Sequence, residues 1–519
     1  MSMVFRKIII LFIPLILLSC AQVGTLTGGE KDEIAPQPVA GKTLPQNETI
    51  GFTSNEVEIT FDEFIQLNNP IQNIFFVPNH ATPKATIKNK TLTIKWEEKL
   101  QENTTYVIYL NGAIKDVTES NDSLMTYVFS TGAMIDSLSY SVTVADAWSN
   151  KLTKGATVGL FSHKDSLKPY YFAKSDASGL ATFSYLKEGT YNLAAFIDEN
   201  LDMQIQPNES VAFRSEPIDL FASQIDTIPL LLSTPLGTPK AHSFTYNSPG
   251  SFTLAANYSL IDATFLLNKT LIEKENIHFF EEDSVAFYYA PKAETKFELI
   301  VKSDTISDTL NLRITEKEKA SSLRLTPKFK NNQIGNHETL SFIVNDRIVT
   351  VDNFKIKLIN LKDSLFIPFE TKIDLNTLTF DFDRKNTTKV QVVFRKGAVI
   401  GQQNTLSDSI SLFVSLKEEK DYGIIHVDIS QFKQNVIVEL LQNNKVVQKV
   451  LNLDGSKISF SNLEPGIYQF RVIEDLNANF KWDPGNRALN IQPEKVFNFT
   501  KPTTVRANWE MDVPLTPIQ

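Results

Sequence analysis

NEVEITFDEF, residues 55–64, alternates strictly: Val57, Ile59 and Phe61 are apolar, while Glu56, Glu58 and Thr60 are polar. In an extended chain this period of two sends one set of side chains to each face, the pattern of a strand buried on one side and wet on the other. KTLTIKWEEKL, residues 90–100, repeats the pattern with Leu92, Ile94 and Trp96 against Thr91, Thr93 and Lys95. Working outward, similar runs recur as ATVGLF (156–161), KFELIVK (296–302), ISLFVSL (410–416) and NVIVELL (435–441), separated by turns rich in Asn, Asp, Gly and Ser. Outside residues 8–18 no long segment has a helical period. The spacing predicts an all-β chain built as a string of small sandwiches.

The segment 8–18 is of another kind. Arg6 and Lys7 precede an unbroken apolar run that contains Pro14. It is too short to span a bilayer comfortably and suits a signal-peptide core. It ends in Leu17-Leu18-Ser19-Cys20, which resembles a bacterial lipobox, and Cys20 is the only cysteine of 519 residues. The resemblance implies a signal peptide over 1–19, removed so that Cys20 carries the lipid (palmitate among its acyl chains). Residues 20–36 then form a small, polar tether. The expected address is the outer membrane, lipid-anchored, facing the periplasm or the cell surface. Loss of Arg6 and Lys7 would make the formal net charge of −9 more negative by two. Such a chain lacks the basic face that nucleic acid demands.

Four pieces resemble the bacterial Ig-like domain at the N-terminus of Bacteroidota lipoproteins. They are EITFDEFIQL (58–67), TLTIKW (91–96), LQENTTYVIYL (100–110) and YVFSTG (127–132), which place that domain at 37–132. An internal repeat follows. FSYLKEGTYNLAAFIDENLD (183–202) aligns without a gap with FSNLEPGIYQFRVIEDLNAN (460–479), at a constant offset of 277. Both copies resemble the carboxypeptidase regulatory-like, or transthyretin-like, β-sandwich, with SDASGLATF and NLDGSKISF as the aspartate–glycine turns. Gly189 and Gly466 are expected to allow a tight turn before Tyr191 and Tyr468. The resulting division is 133–235 and 419–519 as transthyretin-like sandwiches, with 236–315 and 316–418 as two β domains of unknown type.

Chemistry is suggested most strongly by IEDLNANFKWDPGN, residues 473–486. Asp475, Asn477, Asn479 and Asp483 occupy positions 1, 3, 5 and 9 of a loop, as oxygen ligands do around calcium. The first copy offers Asp198, Asn200, Asp202 and, at position 12, Glu209. Against a structural Ca2+, position 6 holds Phe480 or Met203 where such loops have glycine, and Asn486 cannot close the second loop. The other reading is a set of Asx-turns that satisfy backbone donors, and the residues favour it over the metal. No other cofactor is expected.

His80, His163, His242, His278, His337 and His426 are scattered and stand in no ligand spacing. Nucleophile elbows and phosphate loops are not found, so catalytic residues are expected to be none. Asp-Ser or Asp-Thr followed by an aliphatic residue recurs, which resembles an O-glycosylation acceptor. The implied sites are Ser123, Ser137, Ser166, Thr227, Ser284, Thr305, Thr309, Ser364 and Ser409. The favoured expectation is a non-enzymatic lipoprotein acting as scaffold, spacer or adhesion protein of the cell envelope. Its partners would be the membrane, through the lipid, and an envelope protein or glycan. A glycan-binding accessory role is the alternative, and an enzyme seated in 236–418 a more remote one.

Overall fold

The computed structural model describes residues 33–517 except 124, 164–165, 248, 290–294, 304–305, 316–321, 386, 433–434 and 453–455. The expected signal segment, Cys20, most of the tether and Thr305 therefore lie outside the described residues. The chain divides into two compact units, 1–136 and 137–519. Within the described residues, helix is confined to Pro70–Asn73 and three single-turn 3-10 segments. None of these is long and apolar enough to cross a membrane.

In the first unit, Pro38–Leu44, Glu56–Phe61, Thr91–Lys95 and Lys84–Lys88 form one four-stranded antiparallel sheet. Thr126–Ser130, Thr105–Leu110 and Ile74–Val77 form the sheet that faces it. The alternation read from NEVEITFDEF holds: Val57, Ile59 and Phe61 are buried, as are Leu92, Ile94 and Trp96. Trp96 packs edge-on against Phe76, with centroids 4.9 Å apart, and stacks on Phe129 at 6.0 Å. Each such side chain contributes about 1.5–3 kcal/mol through area removed from water.

Among its described residues the second unit holds four pairs of sheets and a two-stranded ribbon, Ile348–Val351 with Val399–Gly401. The first and last pairs share one topology, as the internal repeat implies. In the first, Leu138–Asp146 lies between Leu180–Leu186 and Gln224–Leu232, pairing parallel with the latter. In the last, Gly423–Asp428 lies between Lys457–Leu463 and Glu510–Pro514, again parallel to the latter. The opposing sheet contains Tyr171–Lys174, Thr157–Phe161, Gly189–Phe196 and Val211–Phe213 in one copy. Its counterpart contains Lys445–Asn452, Val436–Gln442, Gly466–Glu474 and Val496–Val505. Between the copies, strands from Ala241–Asn247 to Ser307–Arg313 make two four-stranded sheets, and those from Leu325–Pro327 to Ile410–Leu416 make another pair.

Two local expectations change. Gly466 opens the strand Gly466–Glu474 without a left-handed backbone, and what it provides is room: a Cβ there would sit 2.6 Å from the Gln442 side chain. The linear string also fails within 137–519, because the first and last sandwiches touch. The surfaces that meet are built by the loop described next.

Candidate functional site

The strands Gly189–Phe196 and Gly466–Glu474 each run into one of the candidate calcium loops. Asp198 and Asp475 are buried, and both carboxylate oxygens of each accept backbone N–H groups. Asp198 accepts from Asp202 N at 3.1 Å and Met203 N at 3.2 Å. Asp475 accepts from Asn479 N at 3.1 Å and Phe480 N at 2.9 Å. Asn200 and Asn477 each take a bond from the same N–H at 3.1 Å. Asp202 and Asn479 take the N–H groups of Gln204 and Lys481 at 2.8 and 2.9 Å. These backbone N–H bonds of the two loops correspond one for one.

They close alike as well, with a partner the sequence did not expose. Glu209 accepts Glu199 N at 3.2 Å and Gln206 N at 3.0 Å. In the second copy these bonds go to Glu494, which accepts Leu476 N at 2.7 Å and Asp483 N at 3.0 Å. Asn486 indeed does not close this loop, yet the loop is closed. Its glutamate follows Asp483 by 11 residues, where Glu209 follows Gln206 by 3, so an insertion of eight separates the equivalent positions. Burial, helped by the Asp483 and Asp475 carboxylates, pushes the Glu494 pKa up against the pull of its two N–H bonds.

The closing glutamates and both leading aspartates accept backbone N–H groups, as Asx-turns require, and Asp483 Oδ2 takes the amides of Asn477 at 2.6 Å and Asn479 at 2.8 Å. Among the described residues no three His, Cys, Asp or Glu side chains converge as a metal would require. Burial would raise the Asp202 pKa, but bonds from Gln204 N, Gln206 and Asn200 outweigh it and the pKa is lowered. Position 6 is informative: Met203 (φ +58°) and Phe480 (φ +64°) take the left-handed conformation that glycine would adopt freely. Leu201 and Ala478 are left-handed too.

What the turn does is throw one apolar side chain back over the sheet. In the first copy this is Ile205, which packs with Phe161, Ala194, Phe196, Val211 and Phe213. In the second it is Trp482, over Ile437, Ile473 and Val496. Register explains the patch: Leu451, Ile437, Ile473 and Val496 form one row across four strands. Trp482 also donates its indole N–H to Glu494 O at 2.9 Å.

Trp148, from the first sandwich, packs on the same patch. Its ring meets Trp482 at 5.3 Å between centroids, tilted 64°. The Arg471 guanidinium lies 4.3 Å from the Trp148 ring and is held in a second cross-strand row by Glu439 at 3.0 Å and Asn498 at 3.1 Å. Polar bonds frame this contact. Asn150 Nδ2 donates to Val496 O at 2.6 Å, Asn498 Nδ2 to Trp148 O at 2.9 Å, and Gly485 N to Ser233 Oγ at 2.9 Å. From the insertion, Arg487 reaches Ser166 O at 3.2 Å, and Gln492 reaches Phe213 O at 3.0 Å. IEDLNANFKWDPGN is therefore the joint between the two repeats. Trp148 and Trp482 meet there, whereas Trp96 is core and Trp509 is half exposed beneath Arg506.

Elsewhere the geometry is sparse in chemistry. Ser459, His426 and Glu510 form a row that runs obliquely over three strands, since His426 pairs in register with Ser459 and Asp512; His426 Nδ1 is 2.8 Å from Ser459 Oγ and Nε2 3.7 Å from Glu510 Oε2. The order mimics a nucleophilic triad, but the row lies on the wet face of the sheet, with Glu510 71% exposed. An open hollow of about 360 Å³ beside Asn268 and Phe297 has one carboxylate, Glu298, in its lining. A second hollow, about 230 Å³, is lined by Phe366, Phe369 and Lys357, the ammonium lying 4.7 Å from the Phe366 ring. Of the glycosylation candidates, Ser137, Thr227, Thr309, Ser364 and Ser409 are exposed, while Ser166 and Ser284 are half-buried.

No curated protein matches the chain. Among solved structures, domains 1–6 of surface layer protein SbsC are 12% identical, with TM-score 0.14, covering 88% of this chain and 66% of that one. The Bacillus anthracis TIE protein is 9% identical, with TM-score 0.14, covering 94% and 76%. A Bacteroides ovatus mixed-linkage glucan utilization locus protein, SGBP-B, is 11% identical, with TM-score 0.21, covering 71% and 91%. The chain thus spans about two thirds of the surface-layer fragment. Residues 32–131 match the bacterial Ig-like domain family, so the N-terminal sandwich of this all-β chain is a bacterial Ig-like domain.

Proposed function

We propose that the protein is a non-enzymatic, lipid-anchored scaffold of the cell envelope, tied to the outer membrane through Cys20. The observation that carries this reading is the use made of the most site-like loop. Its carboxylates Asp475 and Glu494 brace the turn through backbone N–H groups, and its tryptophan joins one sandwich to another. A loop so employed serves architecture. Metabolic labelling with a palmitate analogue tests the anchor: label on the wild type that disappears in Cys20→Ala is expected, and equal label in both would refute it. A fluorophosphonate probe tests the row at Ser459, which should remain unlabelled. The exposed hydroxyls at Ser137, Thr227, Thr309, Ser364 and Ser409 support glycan attachment. The intact mass of the native protein should then exceed that of the mature polypeptide with its lipid.

One observation favours a second reading, glycan binding at the hollow between Phe366 and Phe369. Phe366 is 64% exposed and offers a face on which a sugar ring could stack. Retardation in polysaccharide-containing gels that is abolished by Phe366→Ala would support it, and unaltered mobility of the wild type would remove it.

A further inference from the structure

We propose that the joint between the two repeats is a force-bearing latch that keeps the central sandwiches, 236–418, out of the load path. The argument is one of connectivity. The second unit begins its first strand at Leu138, and only a few residues later Trp148 and Asn150 grip the last sandwich. The gripped residues Val496 and Asn498 begin the strand Val496–Val505, which precedes the final strand, Glu510–Pro514. Tension applied at the two ends of this unit therefore crosses the latch after a short stretch of chain on either side. Everything from 151 to 495 lies within the loop that the latch closes.

The contacts suit that duty. Asn150 with Val496 and Asn498 with Trp148 form a reciprocal pair of amide-to-carbonyl bonds, shielded by the Trp148–Trp482 contact and the Arg471 guanidinium. Arg471 is itself braced by Glu439, so it cannot swing away without breaking a largely buried ion pair. Lys481, in the same loop, reaches Glu282 of the sandwich 236–315 at 3.1 Å, which adds a further tie across the closed loop. Within the loop the central sandwiches are held to each other by separate contacts, among them Arg347 with Asn276 at 2.5 Å and Gln403 with Pro249 O. Those contacts stay slack while the latch holds.

The latch is independent of the lipid anchor and can be tested without it. The full chain with Cys20→Ser, tethered through cysteines introduced at Ser137 and Thr516, would be stretched in optical tweezers. The expected trace begins with a short extension, the latch opening with all sandwiches still folded. Only then should steps of roughly 25–35 nm appear, as each sandwich of about 80–100 residues is pulled out. Arg471→Ala should lower the force of the first event at least twofold and leave the later steps unchanged. A cysteine pair at Asn150 and Val496 should abolish the first event and withhold the length of 151–495 from the total. Sandwich-sized steps with no earlier event, or a first event that Arg471→Ala does not alter, would overturn the proposal.

Discussion

The two carboxylate turns are the same object in different employment. From Asp198 to Glu209 and from Asp475 to Glu494 the backbone bonds correspond one for one. The first turn covers its own sheet with Ile205; the second covers its sheet with Trp482 and then, through eight extra residues, grips another sandwich. The turn is therefore a local device, and the joint is what an insertion and one larger side chain made of it.

The sharpest way to break that comparison is to truncate the covering residue in each copy. Trp482→Ala should cost about 4 kcal/mol and Ile205→Ala about 2–3 kcal/mol, read by chemical denaturation. Only the first should also blunt the near-ultraviolet dichroism of the Trp148–Trp482 pair. Equal losses would mean that the joint contributes nothing. Next in size, Asp198→Ala and Asp475→Ala should each cost about 2–3 kcal/mol, since each strands buried N–H groups. A difference of more than twofold between them would show that the turns are not equivalent.

A smaller effect separates the sandwiches by pH. Asp226, in the first copy, is pushed up by burial but pulled further down by the Arg214 guanidinium, Ile228 N and the Tyr140 hydroxyl, so its pKa is lowered. A carboxylate whose folded pKa lies below its unfolded one stabilises above the ordinary carboxylate range and loses that stabilisation as pH falls through the folded value. Asp226→Asn should therefore cost about 2 kcal/mol at neutral pH and progressively less on acidification. A cost independent of pH would rule out the charge as its source. Relief of the left-handed residues should have the opposite sign: Met203→Gly and Phe480→Gly are each expected to stabilise by about 1 kcal/mol. The smallest expected effect is that of calcium. Millimolar Ca2+ should leave the melting temperature unchanged in wild type and Asp475→Ala alike, and a rise confined to the wild type would restore the ion to the loop.

Much of the fold was legible because alternation is a local property. Val57, Ile59 and Phe61 face the core as their spacing requires, and the constant offset of 277 marks two sandwiches of one topology. The turn was half legible: its leading aspartates and asparagines fall within the ungapped repeat, whereas Glu494 lies beyond the insertion that breaks the offset. Aligning Glu209 to the next glutamate rather than to Asn486 would have found it. The joint was hidden because Asn150 and Val496 are 346 residues apart, a separation no local pattern spans. One signal was nevertheless present. NVIVELL carries Val436, Ile437 and Val438 in succession, and a strand apolar on both faces is covered on both. All three are buried, Ile437 beneath the two tryptophans.

Glu494 has a consequence for how such a chain can change. Because it clamps the base of the detour, pinning Leu476 and Asp483 from the far side, the turn beneath keeps its shape whatever the detour contains. The eight added residues behave as a grafted finger on a fixed knuckle. Exchanging or shortening them would redirect what the last sandwich holds without unfolding it, so a repeat protein of this kind can acquire or lose a fastening in one step.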